Sequence, residues 1–275
     1  MGDLDSLLEA LELHRKQLSQ PTEGWPDESF SKGVPRLPLF HRLGEPLRDA
    51  EGSLASHKIV LELARPKAAR AAIGTDACVF ASFGVAAYLQ PAVVLAFGPA
   101  EQQRESRLSL PWDSRGAAAR LGWSDEVASE KIARYSLAAP NDESYLARHL
   151  ATCFQTWEQF LSGKRPLAPD PDEARVLGWA LDAPADVDLA PLTTPEARFL
   201  EPQPVGETLL AVFVDADFPD SGPRSADWRR TYTVLRRIVE QRKPARFEAK
   251  RRMKPGPALA RAAASFVLEH LGVEP

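Results

Sequence analysis

The stretch from Gly74 to Phe97 is the feature that most constrains how this chain can fold. It contains two short apolar runs, CVFASFGV and AVVLAF, which are rich in valine and phenylalanine. Turn-forming residues border them: Gly74 comes before the first run, Pro91 lies between the two, and Gly98 follows the second. Short apolar runs with such borders are typical of buried strands. We therefore predict two core strands here, with Gly84 at a bend where the first one ends.

The rest of the sequence contains a few more apolar runs and several longer amphipathic segments. In the amphipathic segments, apolar residues recur at steps of three and four, which is the period of a helix. The apolar runs are short and are bounded by turn residues, which favours strands. We predict strands at Leu37–His41, Glu196–Phe199 and TLLAVFV (residues 208–214), and helices at residues 3–18, Asp142–Leu161, Ala226–Arg242 and about Ala258–Leu271.

The order of these elements indicates the fold class. Strands do not alternate regularly with helices, and no glycine-rich phosphate loop follows a strand, so a doubly wound fold is disfavoured. We predict a single α+β domain over residues 1–275, with a mixed or antiparallel sheet. Within it we expect a helical insertion at about residues 117–165 and a basic helical C-terminal segment at about residues 224–275.

Composition excludes several classes of protein. The chain has 275 residues, of which 44% are hydrophobic, as in ordinary globular proteins. No apolar run approaches the roughly 18 residues that span a bilayer, so we expect no membrane partner. Cys78 and Cys153 lie in apolar surroundings and are interpreted as buried free thiols of a reducing cytoplasm. The five histidines are scattered, and no pair has the spacing of metal ligands, so we expect no structural metal site.

A few polar and aromatic residues are candidates for a functional site. His41 ends a predicted strand, and Glu196 begins another one directly after a proline. Ser82 and Phe83 lie in the central strand, and Tyr88 lies just past it. Each also has a structural explanation: a hydrogen-bonded histidine, core aromatic residues, and a solvent-exposed ion pair of Glu196 with the arginine two residues later.

The order of these parts resembles the ADP-ribosyltransferase fold in its bacterial toxin and defence branches. The matching segments are LPLFH, GEPLRDAEGSL, DACVFASFG and PEARFLEPQPVGETLLAVFV, within roughly residues 35–115 and 190–215. In that family a first strand ends in His or Arg, a second carries a small or hydroxyl residue near an aromatic one, and a late strand begins with the catalytic Glu. The resemblance implies a split sheet. The Ser-Thr-Ser and Glu-x-Glu patterns of the arginine-modifying branch are absent, which argues against modification of protein arginines.

The resemblance also implies that NAD is the substrate and that its nicotinamide–ribose bond is cleaved. Glu196 is then the catalytic residue, because a carboxylate stabilises the oxocarbenium-like ribose cation that forms. His41 is expected to bond to the ribose of the adenosine half, and Ser82 takes the place of the small or hydroxyl residue. Phe83 or Tyr88 is expected to stack on the nicotinamide. The ADP-ribose would pass to a protein, a nucleic acid or water.

Charge is distributed unevenly along the chain. From Arg224 to Arg261 there are thirteen lysines and arginines but only three acids, whereas the whole chain has a formal net charge of −4. Such asymmetry favours an anionic partner such as nucleic acid, although a solvated basic helix explains it too. The predicted contacts, in which the tryptophan stacks on bases, are Trp228, Arg229, Arg230, Arg251, Arg252 and Lys254.

Two further classes of protein remain open. Asp215 and Asp217 precede Glu248-Ala249-Lys250, and this Glu-x-Lys form occurs in metal-dependent nucleases, where acids hold the metal ion and Lys250 would stabilise the attacking water. A predicted helix between the two parts stands where an adjacent strand is expected, which argues against a nuclease. The other class is a non-catalytic binding or immunity-type protein, in which the predicted catalytic and NAD-binding residues can be replaced without loss of function.

Overall fold

The computed structural model describes residues 28–47, 60–61, 68–75, 77–85, 93–99, 107–154, 156–162, 194–206, 208–215, 225–241, 246–250 and 255–273. Its helices are α1 (Glu28–Gly33), α2 (Ala68–Ala71), α3 (Ser114–Leu121), α4 (Asp125–Tyr135), α5 (Asn141–Cys153), α6 (Trp157–Ser162), α7 (Ser225–Gln241) and α8 (Pro255–Leu271). Its strands are β1 (Pro38–Arg42), β2 (Val60–Leu61), β3 (Val79–Phe83), β4 (Val93–Pro99), β5 (Arg107–Leu110), β6 (Leu137–Ala138), β7 (Glu196–Phe199), β8 (Gln203–Pro204), β9 (Leu209–Asp215) and β10 (Arg246–Lys250).

The protein is of the α+β class, with a largely antiparallel sheet and several helices that include one at the C-terminal end. This confirms the predicted class. The chain divides into two compact units: the first comprises Met1–Pro35, Lys67–Asp76 and Leu108–Glu196, and the second comprises Arg36–Pro66, Ala77–Arg107 and Ala197–Pro275. The single domain remains a prediction, as does the split sheet of the ADP-ribosyltransferase type.

Strands of the second unit follow one another in the order β10-β9-β4-β1-β3-β7. The pairs β9–β4, β4–β1 and β1–β3 are antiparallel, whereas β10 and β9 are parallel, so the sheet is mixed. The two strands predicted between Gly74 and Phe97 are therefore both present, as β3 and β4. At the end of β3, Gly84 has a φ of 65°, a left-handed conformation that glycine adopts without strain.

Strand β4 is buried on both faces. Successive residues of a strand point to opposite faces, and every residue from Val93 to Phe97 is at most 2% exposed. On one of these faces, Phe213 of β9 lies 6.1 Å from Phe40 of β1 and 5.8 Å from Phe266 of α8, measured between ring centroids. The apolar run AVVLAF thus forms the centre of this unit because neither of its faces meets water.

The last part of the chain forms a parallel strand–helix–strand unit. Helix α7 connects β9 to β10, and it packs against both strands, as does α8. The register places Lys250 opposite Asp215 and Glu248 opposite Phe213. The objection to a nuclease, that a helix would separate these parts, is therefore wrong: a crossover helix returns β10 to the position next to β9.

The first unit has its own apolar core beneath α3 and α4. Strands β5 and β6 pair in antiparallel fashion, with Ser109 opposite Leu137. The side-chain hydroxyl of Ser109 donates a hydrogen bond to the Asp142 carboxylate at 2.6 Å, and both residues are fully buried. The core cluster consists of Ile73, Leu110, Trp112, Ala117, Ala128, Ile132 and Tyr135.

Several sequence-based predictions need correction. The single helix predicted from Asp142 to Leu161 is two helices, because the backbone of Phe154 is extended and the Thr156 hydroxyl accepts a hydrogen bond from the Gln159 N–H to start α6. Strand β5 was not predicted from the sequence. Cys78 is buried and is not part of a disulfide bond among the described residues, as predicted. The side chain of Cys153 and the helix predicted at residues 3–18 lie outside the described part of the chain.

No helix in the described residues has both the length and the apolar composition needed to cross a membrane.

Candidate functional site

Glu196 is buried, with an exposed fraction of 5%, so the prediction of a solvent-exposed strand-end carboxylate was wrong. Its Oε2 accepts two hydrogen bonds from Ser114, one from the backbone N–H at 3.2 Å and one from the hydroxyl at 3.0 Å. Arg198 is also buried, at 4% exposed, so these two residues do not form a solvated surface pair. All four residues of β7 are buried, so both of its faces are covered. The alternation of charged and apolar residues in the sequence had suggested that one face is exposed.

These hydrogen bonds place Glu196 at the N-terminus of helix α3. The first N–H groups of a helix have no partner within it, and a carboxylate there also interacts favourably with the helix dipole. Asp113 is the N-cap residue and accepts a hydrogen bond from the Gly116 N–H. Glu196 therefore satisfies the Ser114 N–H while Asp113 satisfies that of Gly116. The carboxylate is held in one orientation, and it has a structural role as a second cap of this helix.

In the second unit, His41 is half-buried on β1 and is bonded to the neighbouring strand. Its Nδ1 lies 2.6 Å from the Phe80 carbonyl oxygen of β3. A carbonyl oxygen only accepts, so Nδ1 carries the proton. Burial lowers the pKa of His41, the Arg42 charge lowers it further, and the bond to Phe80 opposes both. The neutral ring therefore has its proton on Nδ1 and an acceptor lone pair on Nε2.

The neighbouring candidates on β3 are mostly occupied by the fold itself. The Ser82 hydroxyl is half-buried, donates to the Val85 carbonyl at 2.6 Å and lies 3.5 Å from the Phe40 carbonyl. Phe83 is fully buried, and the Arg107 guanidinium lies 5.4 Å from its ring centroid. A fully buried ring has no face open to nicotinamide, so the stacking predicted for Phe83 is wrong. Tyr88 lies outside the described residues.

Helix α7 has a distinct exposed face that we call the arginine face, defined by its four arginines Arg229, Arg230, Arg236 and Arg237. All four are exposed, whereas Trp228, Thr231, Val234, Leu235, Ile238 and Val239 are buried. The only acids of α7 stand at its two ends, Asp227 and Glu240, and Glu240 bonds to the Nε of Arg236 at 2.8 Å. The burial of Trp228 also corrects the sequence-based site, because its ring is not exposed for stacking on bases.

The remaining sequence-based candidates are described only in part. Arg251, Arg252, Lys254 and Asp217 lie outside the described residues. Asp215 and Lys250 are placed by their backbones at the carboxyl ends of two adjacent parallel strands, a common location for ligands in α/β sheets. Within the described part of the chain, no three His, Cys, Asp or Glu side chains are arranged to hold a metal ion.

Two residues with unusual surroundings were missed by the sequence-based reasoning. Ser114 had no signal of its own, since its role depends on a partner 82 residues away. Lys131 did have a signal: it occupies a position of α4 that the apolar period assigns to the buried face, together with Ala128, Ile132 and Tyr135. A cation at such a position could have been recognised from spacing alone.

Comparisons with known proteins provide no family for this chain: no family model matches it, and no significant match was found to a curated protein or a solved structure.

Proposed function

We propose that the protein binds nucleic acid through the arginine face of α7. The observation that carries this proposal is that four arginines lie exposed on one side of one helix. No acid interrupts the sequence between Asp227 and Glu240. The inner side of the helix packs on β9 and β10, so these side chains are displayed from a fixed support.

The spacing of the arginine face suits a phosphate backbone. Arg229 and Arg236 are seven residues apart, as are Arg230 and Arg237, which forms two parallel columns. At a rise of about 1.5 Å per residue the face is about 12 Å long. A nucleic-acid strand presents about one phosphate per 3.4 Å of duplex axis, so several phosphates fall within that length. Because phosphate contacts carry no sequence information, we expect binding with little sequence preference.

Fluorescence anisotropy with labelled single-stranded and duplex DNA and RNA tests the proposal, with the salt concentration varied. Each phosphate contact contributes about −0.9 to the slope of log K against log salt for duplex DNA. Replacing all four arginines by alanine should therefore flatten that slope by up to about 3.6. Duplex and single strands are compared because stacking on exposed aromatic residues would favour the latter.

A matched control separates a specific face from overall charge. The variant R229A/R230A removes two charges from the face, whereas R115A/R134A removes two exposed charges from the first unit. Only the first pair should weaken binding. Equal losses in the two variants, or no retention of DNA or RNA by the wild type at low salt, would contradict the proposal and leave the arginine face as a solvated surface.

The same nucleic-acid substrates test the nuclease alternative, which the strand register now favours. Asp215 lies opposite Lys250, and Glu248 and Lys250 share one face of β10. Cleavage that requires Mg²⁺ and disappears in D215N and K250A would support this activity. Binding without cleavage would remove the nuclease alternative and leave nucleic-acid binding intact.

We also propose NAD cleavage at Glu196 as a second function, on the basis of a specific observation. The Glu196 carboxylate is held in a fixed orientation by two donors, and transition-state stabilisation requires fixed groups. The helix cap alone accounts for the same two bonds at Glu196, so the experiment has to separate the two roles.

Release of nicotinamide from NAD by wild type, E196Q and S114A separates them. A catalytic carboxylate predicts a loss of about a hundred- to a thousandfold in rate for E196Q at equal folded fraction. S114A removes one of the two donors but keeps the carboxylate and the backbone donor, so it should lower stability and reduce the rate less than E196Q does. No nicotinamide release by the wild type, or equal rates in wild type and E196Q, would leave Glu196 with its capping role only.

A further inference from the structure

Lys131 is a cation on the buried face of an amphipathic helix, where an apolar residue is expected. It lies on α4 and is 2% exposed, and its neighbours on the buried face, Ala128, Ile132 and Tyr135, belong to the apolar core of the first unit. A lysine at such a position ordinarily extends its amine to water or pairs it with an acid. Here the Nζ atom instead lies 5.2 Å from the ring centroid of Trp123.

Two hydrogen-bond donors remain unsatisfied in this small region. Neither Nζ of Lys131 nor Nε1 of Trp123 has a hydrogen-bond partner among the described residues, and both atoms are buried. A contact with an aromatic face compensates a cation only partly, and buried polar groups without partners are rare in folded proteins. Burial lowers the pKa of Lys131, and the charge of the adjacent Glu130 opposes that shift.

The chemistry of the two donors defines what would satisfy them. An ammonium and an indole N–H both donate and neither accepts, so the complementary group has only acceptors and carries negative charge. A water molecule would accept one or two of these bonds but would leave the charge uncompensated. We propose that Lys131 and Trp123 form a binding site for a small oxyanion, the carboxylate or phosphate group of a ligand.

Trp123 is the partly exposed member of this pair. It is half-buried and lies in the short link between α3 and α4, whereas Lys131 is buried. The link begins at Gly122, which has a φ of 62°, and a Cβ atom added there would meet no atom within 4 Å. Space beside the link is therefore open. The nearest acids along α4, Asp125, Glu126 and Glu130, are exposed, where water and salt weaken their repulsion of an anion.

The test uses the full chain, with inorganic phosphate in one arm and acetate in the other. Chloride at matched ionic strength is the reference in both arms, and the observables are the melting temperature and the tryptophan fluorescence. Phosphate, acetate or both should raise the melting temperature of the wild type beyond the chloride reference. The arm with the larger response identifies the preferred oxyanion.

The variants are K131M, W123F and a control, R134M. R134M removes an exposed cation from the same helix and should respond as the wild type does. K131M should lose the response, and W123F, which keeps an aromatic ring but lacks the N–H, should raise the apparent Kd about tenfold. If K131M does not fold, W123F against R134M provides the same comparison. The proposal would be overturned if phosphate and acetate changed the melting temperature and fluorescence of the wild type no more than chloride does. It would also be overturned if W123F and K131M responded as R134M does.

Discussion

Helices α4 and α7 are both amphipathic, but they place their cations in opposite environments. All four arginines of α7 are exposed, and its buried face consists of apolar residues with one threonine and one tryptophan. Helix α4 exposes Arg134 but buries Lys131 at a position where an aliphatic residue is expected. Lysines and arginines in a helical segment therefore do not by themselves indicate a surface; their phase relative to the apolar residues does.

The difference has a thermodynamic meaning. An exposed arginine remains hydrated in the folded protein, so holding it on a surface costs little, and it is available to a polyanion. A buried amine has lost its water and lowers stability until something compensates its charge. The arginine face of α7 is thus an accessible surface, whereas Lys131 marks a local site. The following predictions test this distinction.

The largest effect is expected when a cation is moved to the buried face of α7. Leu235 is fully buried, so L235K loses an apolar side chain and introduces an unpaired charge into the core. We expect the free energy of unfolding to fall by about 3–5 kcal/mol. Urea denaturation measures it, with the exposed T233K on the same helix as the control, for which a change within about 0.5 kcal/mol is expected. Similar midpoints for the two variants would mean that the inner face of α7 is not packed as described.

Replacing the buried amine of α4 should have a smaller effect of the opposite sign. K131M removes the charge and keeps the volume, and it loses the contact with the Trp123 ring. In anion-free buffer we expect between no change and a gain of about 2 kcal/mol in the free energy of unfolding. The lowered pKa of Lys131 adds a check: wild type loses its charge at a lower pH when folded than when unfolded, so its stability should approach that of K131M as pH rises. A clear loss of stability in K131M at neutral pH would show that Lys131 is already well compensated.

Two histidines, His41 and His270, should make the free energy of unfolding depend on pH. Burial lowers the pKa of both His41 and His270, so the unfolded chain binds protons more readily than the folded one. The stabilisation is complete above the ordinary histidine pKa and is lost as the pH falls through the lower folded value. Denaturation between pH 8 and pH 5 should show less of this decline in H41Q, whose amide can still donate to the Phe80 carbonyl. A decline identical to that of wild type would exclude His41 as its source.

The smallest effect is expected at the exposed pair of α7. Arg236 and Glu240 are hydrogen-bonded at 2.8 Å, but both are solvent-exposed. E240Q should leave the denaturation midpoint unchanged within error, because exposed pairs contribute little. It should also strengthen nucleic-acid binding slightly, since it removes a competing negative charge from the arginine face. Weaker binding by E240Q would indicate that Glu240 positions Arg236 for its partner.

The sequence was most informative where apolar residues cluster. Both predicted core strands between Gly74 and Phe97 exist, and helices α7 and α8 are where the helical period places them. Strand β10 was missed, although RFEAK alternates between charged and apolar residues. An alternation over only five residues, between two long helices, is a weak signal for a strand. The same period of two suggested a half-exposed β7, and tertiary packing instead buried all four of its residues.

The candidate site was less predictable because it depends on long-range contacts. The position of Glu196 at the start of a strand was read correctly, but its burial and its partner come from a segment 82 residues earlier. The exclusion of Phe83 and Trp228 as stacking residues follows from how deeply each ring is buried, which an isolated aromatic residue in a sequence does not reveal. The arginine face, by contrast, was contained in the spacing of Arg229, Arg230, Arg236 and Arg237.

The second cap of α3 has a consequence for the order in which the protein forms during synthesis. Asp113 is adjacent to the helix that it caps, so its hydrogen bond becomes available as soon as α3 leaves the ribosome. Glu196 follows Ser114 by 82 residues, and closing a loop of that length adds an entropic barrier that local contacts do not face. In a nascent chain that ends before residue 196, only the Asp113 carboxylate therefore caps α3. The first unit should gain its full resistance to proteases in a late step, when β7 has been synthesised.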